Sequence, residues 1–209
     1  LATEGRREGV KVEISKVLDR IGALKFGAFK LTSGKMSPYY VDLRIVPSFP
    51  DVFEKICGSY VKFIRSEIGT GEVDRIAGIP IAGIPFASVV AFNLKKPFLY
   101  VRKGARLHGR ERRIEGIIAP GNRVLLMDDL VTTGLSLQKA AKAIMAEGGV
   151  VTDAVVLIDR QEGGREQLAK TGVKLHALLN ITEIVSTLHD LGTIDQDQLR
   201  TILKQVKKR

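Results

Sequence analysis

Between residues 75 and 179, short apolar runs alternate with segments of helical spacing. This alternation constrains the fold more than any other feature of the chain. RIAGI (75–79), PFLYV (97–101), RVLLMDD (123–129), VTDAVVLID (151–159) and KLHALL (174–179) read as strands. Residues 86–94 and 135–147 read as helices, the second with Leu137, Ala140, Ala141, Ile144 and Met145 on one face. Strands that alternate with helices form right-handed βαβ units, so an α/β fold is expected, with a mainly parallel twisted sheet flanked by helices. Ligands of such sheets bind beyond the carboxyl ends of the strands, at the point where the strand order reverses. The residues that follow each strand are therefore where chemistry is expected.

Outside this core, helical spacing predicts helices over 10–23, 50–68, 184–188 and 196–204. Residues 26–43 differ: Gly27, Gly34 and Pro38 punctuate the β-prone runs FKL and YYVDL, which predicts a small hairpin. No repeat, low-complexity tract or linker-like shift interrupts the 209 residues. A single domain (1–209) is expected, with an N-terminal helix and hood over about 10–48, an α/β core over about 50–190, and a C-terminal helix with a basic tail over 191–209.

Composition narrows the setting. Cys57 is the sole cysteine, which excludes an internal disulfide or a cysteine zinc cluster and favours a reducing, cytoplasmic location. The most apolar stretch, GIPIAGIPFASVVAF (78–92), is interrupted by Pro80 and Pro85 and falls short of the ~20 apolar residues of a membrane span. LATEGRREG at the N-terminus lacks the apolar core of a signal segment. The formal charge of +10 fits a nucleic acid or a small polyanion such as a phosphate ester. The absence of Trp, and of basic runs interleaved with aromatics, weighs against nucleic acid.

The sharpest chemical string is VLLMDDLVTTGLS (124–136). An apolar strand delivers Asp128 and Asp129 to its carboxyl end, and Thr132, Thr133, Gly134, Leu135 and Ser136 follow where a helix begins. Glycine permits the backbone angles by which consecutive N–H groups converge on an anion. A helix N-terminus adds partial positive charge and free donors. Carboxylates are poor phosphate ligands, but they accept from sugar hydroxyls and hold Mg²⁺ directly or through water. A molecule with both a diol and a phosphate, such as a ribose 5-phosphate, suits this combination. The plainer reading is a helix capped by Thr132 or Thr133, with the acids on a solvated loop. Neither a Walker A lysine nor a dinucleotide glycine fingerprint is present.

This string resembles the 5-phosphoribosyl-1-diphosphate (PRPP) signature of type I phosphoribosyltransferases. KFGAFKLTSGKMSPYYVDLR (25–44) and LIDRQEGG (157–164) resemble the orotate-using members. The resemblance covers about residues 10–190 and implies the fold of that family with a small N-terminal hood. It implies Asp128 and Asp129 on the ribose hydroxyls and Thr132, Thr133, Gly134, Leu135 and Ser136 around the 5′-phosphate. It implies orotate contacts from Thr32, Tyr40, Val41, Thr132 and Arg160, an arginine being suited to a planar anion with bidentate acceptors. YVRKGARLHGRERRIEG (100–116) matches the family's loop that closes over PRPP. Arg102, Lys103 and His108 carry over directly, and Arg106 stands where a second lysine is typical. Ile81, Ala82 and Gly83 match the loop on the diphosphate, with Ala82 where a lysine is common.

The resemblance thus implies transfer of the phosphoribosyl group from PRPP to orotate, giving orotidine 5′-monophosphate and diphosphate in pyrimidine (UMP) biosynthesis. Lys103, His108, Asp128 and Asp129 are the implied catalytic residues. Mg²⁺ is implied as cofactor, held mainly through the diphosphate and ribose of PRPP, with Asp128 and Asp129 as the candidate protein ligands. A homodimer sharing the loop from Arg102 to Gly116 across its interface is also implied, and no membrane partner. The chain's length predicts a single activity without the decarboxylase found in fused pyrimidine enzymes. Two alternatives remain: a phosphoribosyltransferase for another base, and a PRPP-sensing regulator that binds nucleic acid, which the charge and the KKR tail favour.

Overall fold

The computed structural model describes residues 2–30, 34, 36–102 and 113–207. In chain order the elements are α1 (Ala2–Arg20), β1 (Leu24–Lys30), β2 (Met36–Val41), α2 (Pro50–Phe63), β3 (Arg75–Gly78), α3 (Gly83–Leu94), β4 (Phe98–Val101), β5 (Ile114–Glu115), β6 (Val124–Val131), α4 (Leu135–Ala146), β7 (Asp153–Asp159), α5 (Gly164–Ala169), β8 (Lys174–Asn180), α6 (Ile181–Asp190) and α7 (Gln196–Lys207). They form two compact units, residues 57–178 and residues 1–56 with 179–209.

The 57–178 unit holds the expected sheet. Its strand order is β5-β4-β3-β6-β7-β8. β4, β3, β6 and β7 run parallel, and the short edge strand β5 pairs antiparallel with β4. Strands covered on both faces read as continuous apolar runs rather than alternating ones. VLLM of β6 and AVVLI of β7 are buried throughout for this reason. On one face Val124, Leu126, Ala154 and Val156 pack with Leu137, Ala140, Ala141 and Ile144 of α4 in one cluster that also takes in Leu99, Val101 and Leu168.

The other unit contains the expected hairpin. β1 and β2 pair antiparallel from Leu24↔Val41 to Lys30↔Met36, with an irregularity between Phe26 and Phe29. Asp42 accepts the Arg44 backbone N–H and guanidinium, opening a 3-10 turn over Leu43–Ser48. Arg44 also donates to the Tyr40 hydroxyl at 2.9 Å. α6 begins with a capping box between Asn180 and Glu183 and packs against α1, with Lys11 bonded to Glu183 at 2.5 Å. α7 packs against α6 and β2.

Two differences from the sequence reading bear on the site. The acids were expected at the end of a strand closing at residue 129, but β6 continues to Val131. Leu130 and Val131 extend the parallel ladder to Ile158 and Asp159, so the acids lie inside β6. The first helix starts at Ala2, well before residue 10, because its polar opening turns carry no apolar stripe to betray it. β5 and α5 are too short for a periodic signal.

Candidate active site

The strand order reverses between β3 and β6. From β3 the chain proceeds to β4 on one side, and from β6 to β7 and β8 on the other. This is the switch point at which doubly wound sheets bind ligands. Two of the three segments assigned to PRPP leave the sheet there. After β3, Ile79 N–H donates to the Met127 carbonyl of β6 at 3.0 Å, and the Pro80–Ile81 peptide is cis. α3 then begins at Gly83 with Ala82 as its capping residue and no side-chain cap bond. The Ile81 side chain is exposed, which suits a segment that serves through its backbone.

Asp128 and Asp129 are both buried, each 8% exposed. The peptide that joins them has its polar groups held by side chains. Its carbonyl accepts from the Tyr60 hydroxyl at 2.8 Å, and its N–H donates to Asp128 Oδ1 at 2.9 Å. Gly83 is seated against the same point. A Cβ added there would lie 2.7 Å from Asp128 Oδ1, 2.8 Å from Asp128 Cα and 2.9 Å from the Met127 carbonyl oxygen. Only glycine lets the start of α3 approach the acidic strand this closely.

Beyond β6, Thr132 is half-buried, Gly134 is buried, and Thr133, Leu135 and Ser136 are exposed. The capping residue of α4 is Gly134 in the left-handed region (φ 76°, ψ 0°), with no side-chain cap bond. The plainer reading, a threonine-capped helix, therefore does not hold. The first turn of α4 keeps its backbone donors clear of a side-chain cap, and three hydroxyl residues surround it. That combination favours an anion. Gly134 is wedged against Gly164, whose carbonyl oxygen would lie 2.9 Å from an added Cβ, so the loops after β6 and β7 brace one another.

Arg160 follows β7, is buried, and forms an ion pair with buried Glu162 at 3.0 Å. Its backbone N–H donates to the Val131 carbonyl at 3.0 Å, which ties it to the end of β6. Arg102 stands at the neck of the β4–β5 hairpin. Its N–H donates to the Arg113 carbonyl at 2.8 Å and its guanidinium pairs with Glu115 at 3.0 Å. Lys103, Arg106 and His108, the other loop residues assigned to PRPP, lie outside the described residues, as does Thr32. In the other unit, Tyr40 is half-buried with its ring 5.9 Å from Phe29, while the Val41 side chain belongs to the core.

Comparison with known proteins decides the family. A model described as "Phosphoribosyl transferase domain" matches residues 51–190. The chain is 43% identical over 188 residues to the orotate phosphoribosyltransferase of Cenarchaeum symbiosum, covering 90% of this chain and 94% of that protein. The chain belongs to the orotate phosphoribosyltransferases. Among solved structures of this family, that from Aeropyrum pernix is 31% identical with a TM-score of 0.72, covering 86% of this chain and 99% of the other. The Leishmania donovani UMP synthase is 31% identical with a TM-score of 0.86, covering 97% of this chain and 43% of the other. The chain thus spans less than half of that synthase and nearly all of the archaeal proteins.

Against an orotate phosphoribosyltransferase background, the sequence reading passed over three residues of the 57–178 unit. Glu162, the partner of Arg160, was in plain view two positions along. Gly164 braces Gly134 across two loops and leaves no local trace. Tyr60 sits among the helical apolar positions of α2, and its only signal is that a buried phenol needs a hydrogen-bond partner. The donor chemistry also fits the implied metal. Among the described residues no three metal-ligating side chains cluster, so the chain offers two carboxylates rather than a cage. Mg²⁺ bound by one or two carboxylates and otherwise by substrate phosphates and water needs no more. No helix among the described residues is long and apolar enough to cross a membrane.

Proposed function

We propose that this chain transfers the 5-phosphoribosyl group of PRPP to orotate, forming orotidine 5′-monophosphate and releasing diphosphate. The observation that carries this reading is the β6–α4 segment at the sheet's switch point, where a buried acidic pair sits next to an uncapped, hydroxyl-lined helix start. The acids accept from the ribose hydroxyls. The N–H groups of residues 134–136, with the hydroxyls of Thr132, Thr133 and Ser136, hold the 5′-phosphate. The backbone of Ile81, Ala82 and Gly83 faces the diphosphate from the other side of the switch point.

In the reaction the bond from the anomeric carbon to diphosphate breaks as the carbon–nitrogen bond to orotate forms. The ribose passes through an oxocarbenium-like state, as in glycoside cleavage. The ring nitrogen of orotate loses its proton as the new bond forms, and the departing diphosphate is able to take it up, so no protein base is required. The barrier is lowered by neutralising the leaving diphosphate. Arg102, Lys103 and Arg106 supply positive charge for this, and His108 a proton. Asp128 and Asp129 would hold Mg²⁺ together with PRPP, and the ion when bound would supply further positive charge at the leaving diphosphate. Arg160 pairs with orotate's carboxylate and carbonyl oxygens, with Thr132 in the same unit, and the family resemblance assigns Thr32, Tyr40 and Val41 to the same base. Closure of the loop after Arg102 excludes water that would otherwise hydrolyse PRPP. The reading includes a cytoplasmic homodimer in which that loop is shared, supported by the family resemblance of the loop and by the lone cysteine.

The test follows orotate absorbance on addition of PRPP and Mg²⁺, with chelator as a control and with adenine, hypoxanthine and uracil as alternative bases. Turnover of orotate alone, abolished by chelator, is expected. Asp128→Asn and Asp129→Asn should each lower kcat/KM for PRPP by roughly 10- to 100-fold, the scale of a hydrogen bond to a charged group. Unchanged kcat/KM in both variants would remove the acids from the site. Turnover of a purine instead of orotate would refute the substrate assignment.

A further inference from the structure

We propose that Tyr60 is a positioning residue for the acidic pair, its hydroxyl fixing the Asp128–Asp129 peptide in the orientation that aims the carboxylates at substrate. The inference rests on the ribose-binding role given to those carboxylates above.

The β6–β7 ladder pairs Leu126↔Ala154, Met127↔Val155 and Asp128↔Val156, then resumes at Leu130↔Ile158. At the step between, the Asp128 carbonyl goes to the Tyr60 hydroxyl and the Asp129 N–H to the Asp128 carboxylate. One phenol thus holds the β6 backbone at the place where the two acids sit. In an uninterrupted strand, consecutive side chains point to opposite faces. The register keeps the same offset across this step, so the peptide between the two acids sets how each leaves the strand. The Tyr60 hydroxyl anchors the carbonyl of that peptide, and a buried carbonyl that loses a partner is costly.

Tyr60 is suited to be that anchor. It is fully buried, and its ring lies 6.2 Å from Phe86 at 50°, so its position is set by packing. Its hydroxyl faces a carbonyl oxygen at 2.8 Å, which can only accept, so the phenol is the donor of that bond. Its hydroxyl donates to a backbone carbonyl, so it contributes by placement and not by contact with substrate. Small misplacements of groups that engage a substrate carry large rate costs.

The test is Tyr60→Phe, which keeps the ring and removes the hydroxyl. The expected result is a rise in KM for PRPP of roughly tenfold, with KM for orotate changed less than twofold. Combined with Asp129→Asn, the two losses should be less than multiplicative, because both act through one contact. A folded Tyr60→Phe protein with a lowered Tm but unchanged KM for PRPP would overturn the proposal and leave Tyr60 a packing residue. Should Tyr60→Phe not fold, the wild-type chain labelled with 3-fluorotyrosine gives a second test. The Tyr60 fluorine resonance, assigned by replacing Tyr39, Tyr40 and Tyr100 with Phe, should shift on adding PRPP and stay fixed on adding orotate alone. A resonance unmoved by PRPP overturns the proposal. The underlying reading fails separately, when Asp128→Asn and Asp129→Asn leave PRPP use intact.

Discussion

Gly83→Ala sets two well-known effects against each other, and their sum has a definite sign. Gly83 opens α3, and replacing glycine by alanine in a helix is worth up to about 1 kcal/mol through propensity. Against this, the new methyl carbon would lie 2.7, 2.8 and 2.9 Å from Asp128 Oδ1, Asp128 Cα and the Met127 carbonyl oxygen. Two of the three contacts are backbone atoms of the central strand, which cannot swing aside. Overpacking of this kind costs about 1–3 kcal/mol. With the full propensity gain set against it, the expected net loss is up to about 2 kcal/mol, or a fall in Tm of up to about 8 °C for a chain this long. The displacement falls on Asp128, so kcat/KM for PRPP should drop further than the stability loss explains. Gly58→Ala is the matched control. Gly58 lies inside α2 with no atom within 4 Å of an added Cβ, so its replacement should raise Tm slightly. Calorimetry with steady-state kinetics on both variants decides the matter. A Gly83→Ala protein as stable and as active as the parent would refute the close approach of α3 to the acidic strand.

Other expectations follow from single contacts. Glu162→Gln removes the countercharge of buried Arg160 and should cost on the order of 3 kcal/mol in a urea titration. With Arg160 serving orotate, KM for orotate should rise while KM for PRPP stays level; a rise confined to PRPP would contradict that role. Hydrogen bonds from the Arg123 guanidinium, then from its backbone N–H, hold the Asp74 carboxyl at about 2 against an ordinary 3.8. A carboxyl lowered on folding stabilises the native state above its unfolded value, and that contribution disappears as pH falls through the folded one. Asp74→Asn should therefore lower Tm near neutral pH, with the deficit closing between pH 4 and pH 2. A deficit that persists at pH 2 would show that the loss is not electrostatic.

The site is built from backbone geometry as much as from side-chain chemistry. The glycine at position 83 admits a helix start to the acidic strand, and the glycine at 134 turns the next helix start toward the same point. Acidic side chains between two such helix starts give adjacent zones of opposite preference, one for hydroxyl donors and two for anions. That is the polarity of a phosphorylated sugar bearing a diphosphate.

The sequence alone determined the architecture and the chemical string. The apolar runs of β3, β6 and β7 declared themselves because strands buried on both faces must be apolar throughout, and their alternation with helices left a parallel sheet as the outcome. Asp128, Asp129 and the residues to Ser136 were legible because they are contiguous: one strand, one turn and one helix start carry both acids and hydroxyls. What sequence could not supply was anything made by approach between distant segments. That α4 is capped by Gly134 and not by a threonine depends on Gly164, 30 positions away. The burial of Arg160 against Glu162 depends on how the chain turns after β7. The extension of β6 past the acids depends on its ladder with β7, and the Tyr60 bond to Asp128 spans 68 positions. Periodicity reports only which face of an element is apolar. It says nothing of which particular atom a buried hydroxyl meets, and the aim of the acidic pair turns on that.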